Sequence, residues 1–337
     1  MATLSNNVLT LADWAKRRDP GGKTGMIVEA LSQTNEILED MLYKEGNLPT
    51  GEQTTIRTGL PETFYRMMNQ GIPKSKSTTA QIVENAAELT ALSEVDKSTA
   101  SLESNVNGFR LSEAEAFLEA MSQKQAETMF YGSAANPQEY VGFANRYNDL
   151  SAPNAQNILD AGGTGSDNTS IWLLSFGQRT IHGVFPKGSM AGLQHTDHGE
   201  EWAFDDNNDR FRAYVDSYEW KNGIVVKDWR YGVRQANIDI SDLTSLTGTQ
   251  ALSSATSIIK LMAKQIARLP GRAGKECFYV NRTVASNLMI IGLEKSSAAV
   301  TVEPGLTQFG KEIAQLKFLG IPVRTVDQLL ETEARVV

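Results

Sequence analysis

The sequence predicts an α+β chain, and three observations carry the prediction. A long helical repeat with a start and a stop signal occupies "LSEAEAFLEAMSQKQAETMFYG". Two β-rich runs flank Asn222-Gly223. A second amphipathic helix, "SSATSIIKLMAKQIARLPG", precedes the apolar strand "ECFYV".

Taken in order, residues 1 to about 25 are polar, weakly periodic and read as an extended arm. From Ile27 apolar residues recur at 27/28, 31, 34/35, 38 and 41/42, the spacing of a helix that ends near "KEGNLP". Residues 50–98 mix β-branched residues with prolines and glycines. Within them Thr54–Thr58 and Thr78–Val83 read as strands able to pair in a long hairpin. So long an irregular excursion is unusual inside a compact monomer. It cannot bury its own Phe64, Tyr65, Met67, Met68 and Ile72, so it needs a neighbour to lie on.

In the long helix Ser112 and Glu115 match the S-x-x-E capping box, and Gly132 supplies the stop. Apolar groups recur at Leu111, Ala114, Leu118, Met121 and Met129. About twenty residues at 1.5 Å each give a beam of about 30 Å. Residues 133–210 are rich in loops. Asn222-Gly223 is the strongest hairpin signal in the chain and predicts a two-stranded ribbon over 211–239. In the second helix Ile258, Ile259, Met262, Ile266 and Leu269 form one face, and Lys260, Lys264 and Arg268 the other. "RTVASNLMIIGLEK" reads as a third helix and "IPVRTV" as a closing strand.

The bulk composition narrows the function. With 41% hydrophobic and 21% charged residues the 337-residue chain is ordinary globular material, long enough for two or three domains. No run of eighteen apolar residues is present to span a membrane. "MATLSNNVLTLADWAKRRD" has no basic start followed by an apolar core, so no secretory signal is expected. The single cysteine, Cys277, excludes a disulfide framework and suits a reducing cytoplasm at the time of folding. A net charge of −8 argues against a dedicated nucleic-acid binder. Lys16, Arg17, Arg18 and Lys23 are a local exception, which can face a polyanion or pair with an acidic neighbour.

Three stretches invite an enzymatic reading, and each has a plainer one. "RRDPGGKTGM" ends like a phosphate-binding loop, but Arg17 stands where the first glycine belongs and no apolar strand precedes it. It reads instead as a basic, Gly/Pro-punctuated segment. "AGGTGSDNTS" supplies Gly163 and Gly165 of a dinucleotide fingerprint but has Asn168 at the third position, so it reads as turn and cap chemistry. "HTDHGEE" brings His195 and His198 near carboxylates, but without the i, i+4 helical spacing of a zinc motif, so it reads as a solvated acidic loop. No G-x-S-x-G is present, and the chain has three histidines in all. No catalytic, cofactor-binding or metal residue is therefore assigned, and the chain is read as no enzyme.

The order of arm, protruding hairpin, long helix, ribbon and closing helix–sheet unit resembles that of tailed-phage major capsid proteins, specifically the short-tailed-phage group. The residues that carry the likeness are "GFANRYN" (142–148), "DAGGTGSDNTSIWLL" (160–174), "HGVFPKGSMAGL" (182–193), "WKNGIVVKDWRYGVRQANID" (220–239) and "FLGIPVRTVDQLLETEA" (318–334). The resemblance implies an HK97-type fold with an N-terminal arm at 1–47 and an extended loop at 48–92. It implies a peripheral domain with a spine helix at 93–149 plus 211–239 and 316–337, and an axial domain at 150–210 plus 240–315. It further implies a shell protein that self-assembles as hexamers and pentamers into an icosahedral head around double-stranded DNA, which it encloses without sequence-specific binding. Portal, scaffold or decoration proteins would be partners, with no membrane and no cofactor. Assembly in the bacterial host cytoplasm would precede residence in the virion. Candidate inter-subunit contacts are Arg17, Arg18 and Lys23 on the arm, and Arg57, Phe64, Tyr65, Arg66, Met67 and Met68 on the loop. The rival readings are a self-assembling tail or ring subunit, and a nucleotide- or metal-binding enzyme.

Overall fold

The computed structural model describes residues 32–102, 105–204, 208–245, 257–293, 300–306 and 312–337. The described chain starts with a one-turn helix α1 (Ile37–Asp40), β1 (Tyr43–Glu45), and the hairpin strands β2 (Gly51–Gly59) and β3 (Thr78–Asn85). Then come β4 (Ala87–Asp96), α2 (Lys97–Ala100), the long helix α3 (Val106–Tyr131) and the short α4 (Phe143–Arg146). The middle holds β5 (Ile158–Asp160), β6 (Asn168–Phe176), β7 (Ile181–Phe185), β8 (Leu193–Phe204), β9 (Arg210–Val226) and β10 (Gly232–Asp239). The last part holds α5 (Ile240–Ser245), α6 (Ile258–Arg268), β11 (Lys275–Val280), α7 (Arg282–Leu293), β12 (Val300–Leu306), β13 (Glu312–Phe318) and β14 (Ile321–Thr325).

The body is organised around β6, in which every residue from Asn168 to Phe176 is buried. Antiparallel β10 and β11 flank it. A strand buried on both faces sends alternate side chains into two cores. Trp172, Leu174 and Phe176 enter one cluster, whereas Ile171 and Leu173 enter the other. β11 divides in the same way, Cys277 and Tyr279 against Phe278 and Val280. The first cluster is closed by Met129 and Phe130 of α3 and by Phe143 and Tyr147. Rings of Phe130, Phe143 and Tyr147 lie 6.0, 6.1 and 5.9 Å from the Trp172 ring. Met262 of α6 and Val284, Leu288 and Ile291 of α7 close the second.

The chain's end is stitched into the first face. Arg234 and Glu333, almost wholly buried, pair at 2.9 Å. Arg234 Nη1 also donates to the Tyr147 carbonyl at 2.7 Å, and Tyr131 OH donates to Glu333 Oε1 at 2.6 Å. A buried ion pair is tolerated only when its remaining hydrogen-bonding capacity is met, as these contacts do. At the N-terminal side Asp40 of α1 accepts from Tyr279 OH at 2.9 Å and pairs with Lys275 and Arg324.

Four local expectations fail, each for a physical reason. The Asn222-Gly223 turn does not exist: β9 runs straight through it and pairs with β4 from Ala213 to Asn222 and with β7 from Gly223 to Val226. Glycine is required at 223 by close packing, since a Cβ there would lie 2.7 Å from the Asn85 carbonyl oxygen. The β9 hairpin partner is β8, and β10 pairs with β6 and β5. Consequently "HTDHGEE" lies within a twelve-residue strand, not a loop. The capping box at Ser112 is also displaced. The long helix starts at Val106, where Asn105 Oδ1 accepts from the Gly108 N–H at 3.0 Å, and Ser112 Oγ donates to the Phe109 carbonyl inside the helix. Finally, the helix expected to run to "KEGNLP" is reduced, over its described residues, to Ile37–Asp40. Tyr43–Glu45 instead extend as β1 to pair in parallel with β7.

Candidate assembly surfaces

The strands expected at 54–58 and 78–83 form β2 and β3, paired antiparallel from Gly51↔Asn85 to Gly59↔Thr78. Residues 60–77 join them without regular structure, and Leu60, Phe64, Tyr65, Met67, Met68 and Ile72 are all exposed. Single exposed apolar residues are ordinary, but so many on one short excursion form an exposed apolar patch of the kind that contact surfaces carry. The tip has defined geometry. Gln70 N–H donates to the Met67 carbonyl at 3.3 Å and Asn69 takes a φ of 66°, which asparagine tolerates and which a turn of this kind needs. Ser75 Oγ donates to the Glu62 carbonyl at 2.8 Å, tying the two arms together. Met68 therefore sits at the apex of a turn held by its own hydrogen bonds.

The hairpin root is fixed to the body by charge. Gly51, with φ 149°, brings β2 so near β3 that a Cβ would meet the Glu84 carbonyl oxygen. Glu52 accepts from Lys227 Nζ at 2.7 Å and is 2.8 Å from Nε2 of the fully buried His182. Burial raises the Glu52 carboxyl, but the hydrogen bonds from Lys227 and His182 outweigh it and hold the group below its ordinary value. Burial pushes His182 downward, with the Glu52 contact opposing. Glu84 is gripped by both terminal nitrogens of Arg146 at 2.5 and 2.7 Å. A rigid root thus carries an apolar tip.

Arg57, Phe64, Tyr65, Arg66, Met67 and Met68 all lie on this hairpin and are exposed. Arg17, Arg18 and Lys23, together with the glycine–lysine stretch around them, lie outside the described residues. A second surface has no precursor in the sequence reading. At the outer end of β8–β9, Arg212 stacks over Trp202 at 4.6 Å and Arg210 over Phe204 at 5.3 Å, each pair being cross-strand partners. Aromatic–arginine rungs left exposed have the composition of interface hot spots. Only the pairing of β8 with β9 brings them together, so spacing along the chain could not show them.

The two described stretches that invited enzymology are occupied by structure. His195 Nε2 contacts Asp216 at 2.9 Å and its ring stacks on Tyr218, whereas His198 contacts Ser217. Asp197 pairs with Arg110 at 2.7 Å. Among the described residues no three His, Cys, Asp or Glu side chains gather as metal ligands. The glycine-rich turn before β6 is filled by the protein's own backbone: Gly163 N–H donates to the Asn237 carbonyl at 2.9 Å, and Asn168 Nδ2 to the Gly165 carbonyl at 2.7 Å. Cys277 is buried, and burial pushes its thiol up to about 11, far from a nucleophile's range.

Comparison with known proteins agrees with this architecture. The family model of the Major capsid protein GP7 matches residues 19–337. A chain of the near-atomic cryo-EM structure of bacteriophage Epsilon15 is 32% identical, with 100% of this chain and 99% of that chain covered and a TM-score of 0.78. The bacteriophage JBD30 capsid matches at 10% identity over 89% of this chain and 93% of that chain, with a TM-score of 0.47. The holo-SrpI encapsulin complex of Synechococcus elongatus PCC 7942 matches at 11% over 68% and 96%, with a TM-score of 0.42. No curated protein matches. The chain belongs to the major capsid protein GP7 family and is a shell-forming phage capsid protein of the HK97-type α+β fold.

Proposed function

We propose that this chain is the subunit of an icosahedral tailed-phage head, which it builds as hexamers and pentamers around double-stranded DNA. The single observation that carries this reading is the hairpin of residues 51–85, whose root is ion-paired to the body while its apolar tip is left exposed by the described residues of its own subunit. In the proposed shell the tip lies on a neighbouring copy, and Arg57, Phe64, Tyr65, Arg66, Met67 and Met68 supply contacts. The arm would add Arg17, Arg18 and Lys23 as inter-subunit ion pairs. Each such contact is heterologous, so it must close into rings and then a lattice.

The division of labour we propose is an arm at 1–47 and an extended loop at 48–92. The peripheral domain takes 93–149 with 211–239 and 316–337, and the axial domain 150–210 with 240–315. Packing of α3 on β4 and β9 supports the first grouping: Phe117 stacks on Tyr218, and Arg110 holds Asp216 at 2.8 Å. α6 and α7 close one core with Ile171 and Leu173, which favours the second, and the same core takes in Val233, Ile238, Phe318 and Ile321 from the peripheral ranges. Portal, scaffold and decoration proteins are the proposed partners, and the host cytoplasm the place of assembly. The role is structural, with no turnover of substrate.

Expression of the full chain with its phage's other head proteins, followed by electron microscopy, tests the reading. Closed icosahedral particles are expected. Open tubes or flat rings would point to a tail or ring subunit instead, and a monodisperse monomer would overturn the shell.

A further inference from the structure

Between Asp242 and Glu276 the chain has no acidic residue, yet it carries Lys260, Lys264, Arg268, Arg272 and Lys275, in a protein whose net charge is −8. The first three are spaced by four and share one side of α6. The other side buries Ile259, Leu261, Met262 and Gln265. Gln265 Nε2 donates to the Ile171 and Val233 carbonyls at 3.1 and 3.3 Å, which fixes the roll of the helix on the central sheet. Lys264 and Arg268 are thereby turned outward and exposed.

Where the band continues beyond the helix, cations lie at the surface and their carboxylates beneath. The Arg272 side chain is 81% exposed against 8% for Glu276, 3.9 Å away. The Lys275 side chain is 52% exposed against 1% for its partner Asp40. The turn that carries the exposed Arg179 abuts this segment, since a Cβ on Gly177 would lie 3.1 Å from the Ala273 carbonyl oxygen. Along 257–275 every charged side chain is a cation, and at Arg272 and Lys275 the cation lies outside its carboxylate.

We propose that this band is a contact for the phosphate backbone of the packaged duplex. The inference rests on the shell reading for its biological setting, but the contact itself is a property of the subunit. Two features favour a polyanion over a protein partner, and a third favours its phosphates over its bases. The cations recur about every 6 Å along a rigid helix, and duplex DNA offers about one negative charge per 1.7 Å of axis. None of the large exposed apolar side chains among the described residues lies on the band, so it lacks the anchors a protein interface uses. It also presents no aromatic ring on which bases could stack. Such a contact neutralises phosphates without reading sequence. It is weak for one subunit, summed over many copies, and reversible by salt.

The test is binding of the purified full chain to a random-sequence duplex of about 30 base pairs, followed by fluorescence anisotropy from 50 to 300 mM salt, for wild type and Lys264→Gln/Arg268→Gln/Arg272→Gln. The salt slope should fall by about 2.7, or about 0.9 per lost cation. Binding at 100 mM salt should weaken at least tenfold, with an unchanged melting temperature. Lys264→Arg should bind like wild type. A triple variant with the wild-type slope overturns the proposal, as does a wild type that prefers polyglutamate of equal charge to the duplex. Absence of particles from the wild type would defeat the shell reading alone, because the anisotropy measurement decides the band by itself.

Discussion

Glu52 and Glu84 face each other directly across the β2–β3 hairpin, yet each carboxylate is answered by a cation from a different part of the body. Lys227, which follows β9, pairs with Glu52 at 2.7 Å, and Arg146 of α4 pairs with Glu84 at 2.5 Å. Like charges directly opposite would by themselves push the strands apart. Bracing from two sides turns that repulsion into a fixed root for the loop.

Removing one brace strands a carboxylate. The Arg146 and Glu84 side chains are 18% and 12% exposed, so Arg146→Met should cost about 2–3 kcal/mol, somewhat less than for a fully buried pair. Arg146→Met/Glu84→Gln should recover at least half of that loss. Denaturant unfolding measures both, and equal costs for the single and double variants would contradict the account.

His182 makes the root sensitive to acid. The fold favours its neutral ring, placing its pKa below the ordinary 6.5. The resulting stability is complete above pH 6.5 and is lost as pH falls through the lowered native value. Glu52, held below its ordinary 4.5, contributes stability above pH 4.5 that is lost on further acidification. Melting temperature should thus decline in two stages, and His182→Gln should flatten the first and, by removing the His182 contact to Glu52, move the second toward pH 4.5. An unchanged upper stage in that variant would remove His182 from the account.

The start of the long helix can be checked separately. Asn105→Ala removes the cap on the Gly108 N–H and should cost about 1 kcal/mol. Ser112→Ala, inside the helix, should cost less than half as much. The reverse order would restore the capping box at Ser112.

Cys277 should resist alkylation in the native protein at pH 8 and react within minutes after unfolding, because its thiol is buried and shifted to about 11. Mass spectrometry after maleimide treatment reads this directly.

What was legible in the sequence was whatever depends on neighbours along the chain. The apolar face of α6, the buried strand "ECFYV" and the β2–β3 hairpin follow from local periodicity and turn residues, and the structure has them. The errors arose where tertiary contact overrides a local signal. Asn-Gly at 222–223 is an excellent turn sequence, but the approach of Asn85 and Ala86 requires the same glycine inside a strand. Ser112–Glu115 imitates a helix start, whereas Asn105 begins the helix earlier. For the assembly surface, the exposed cluster at 64–68 was visible as apolar residues with nothing local to cover them. The Glu52–His182–Lys227 brace and the Trp202–Arg212 rung join residues far apart in sequence, and no spacing rule reaches them.

In the proposed shell the loop tip finds its cover on other copies of the same chain. Electron microscopy of particles from wild type and from Tyr65→Ser/Met67→Ser/Met68→Ser, prepared identically, tests it most directly. Closed shells are expected from the wild type, and only unassembled subunits of unchanged melting temperature from the variant. Intact shells in normal yield from the variant would contradict the claim.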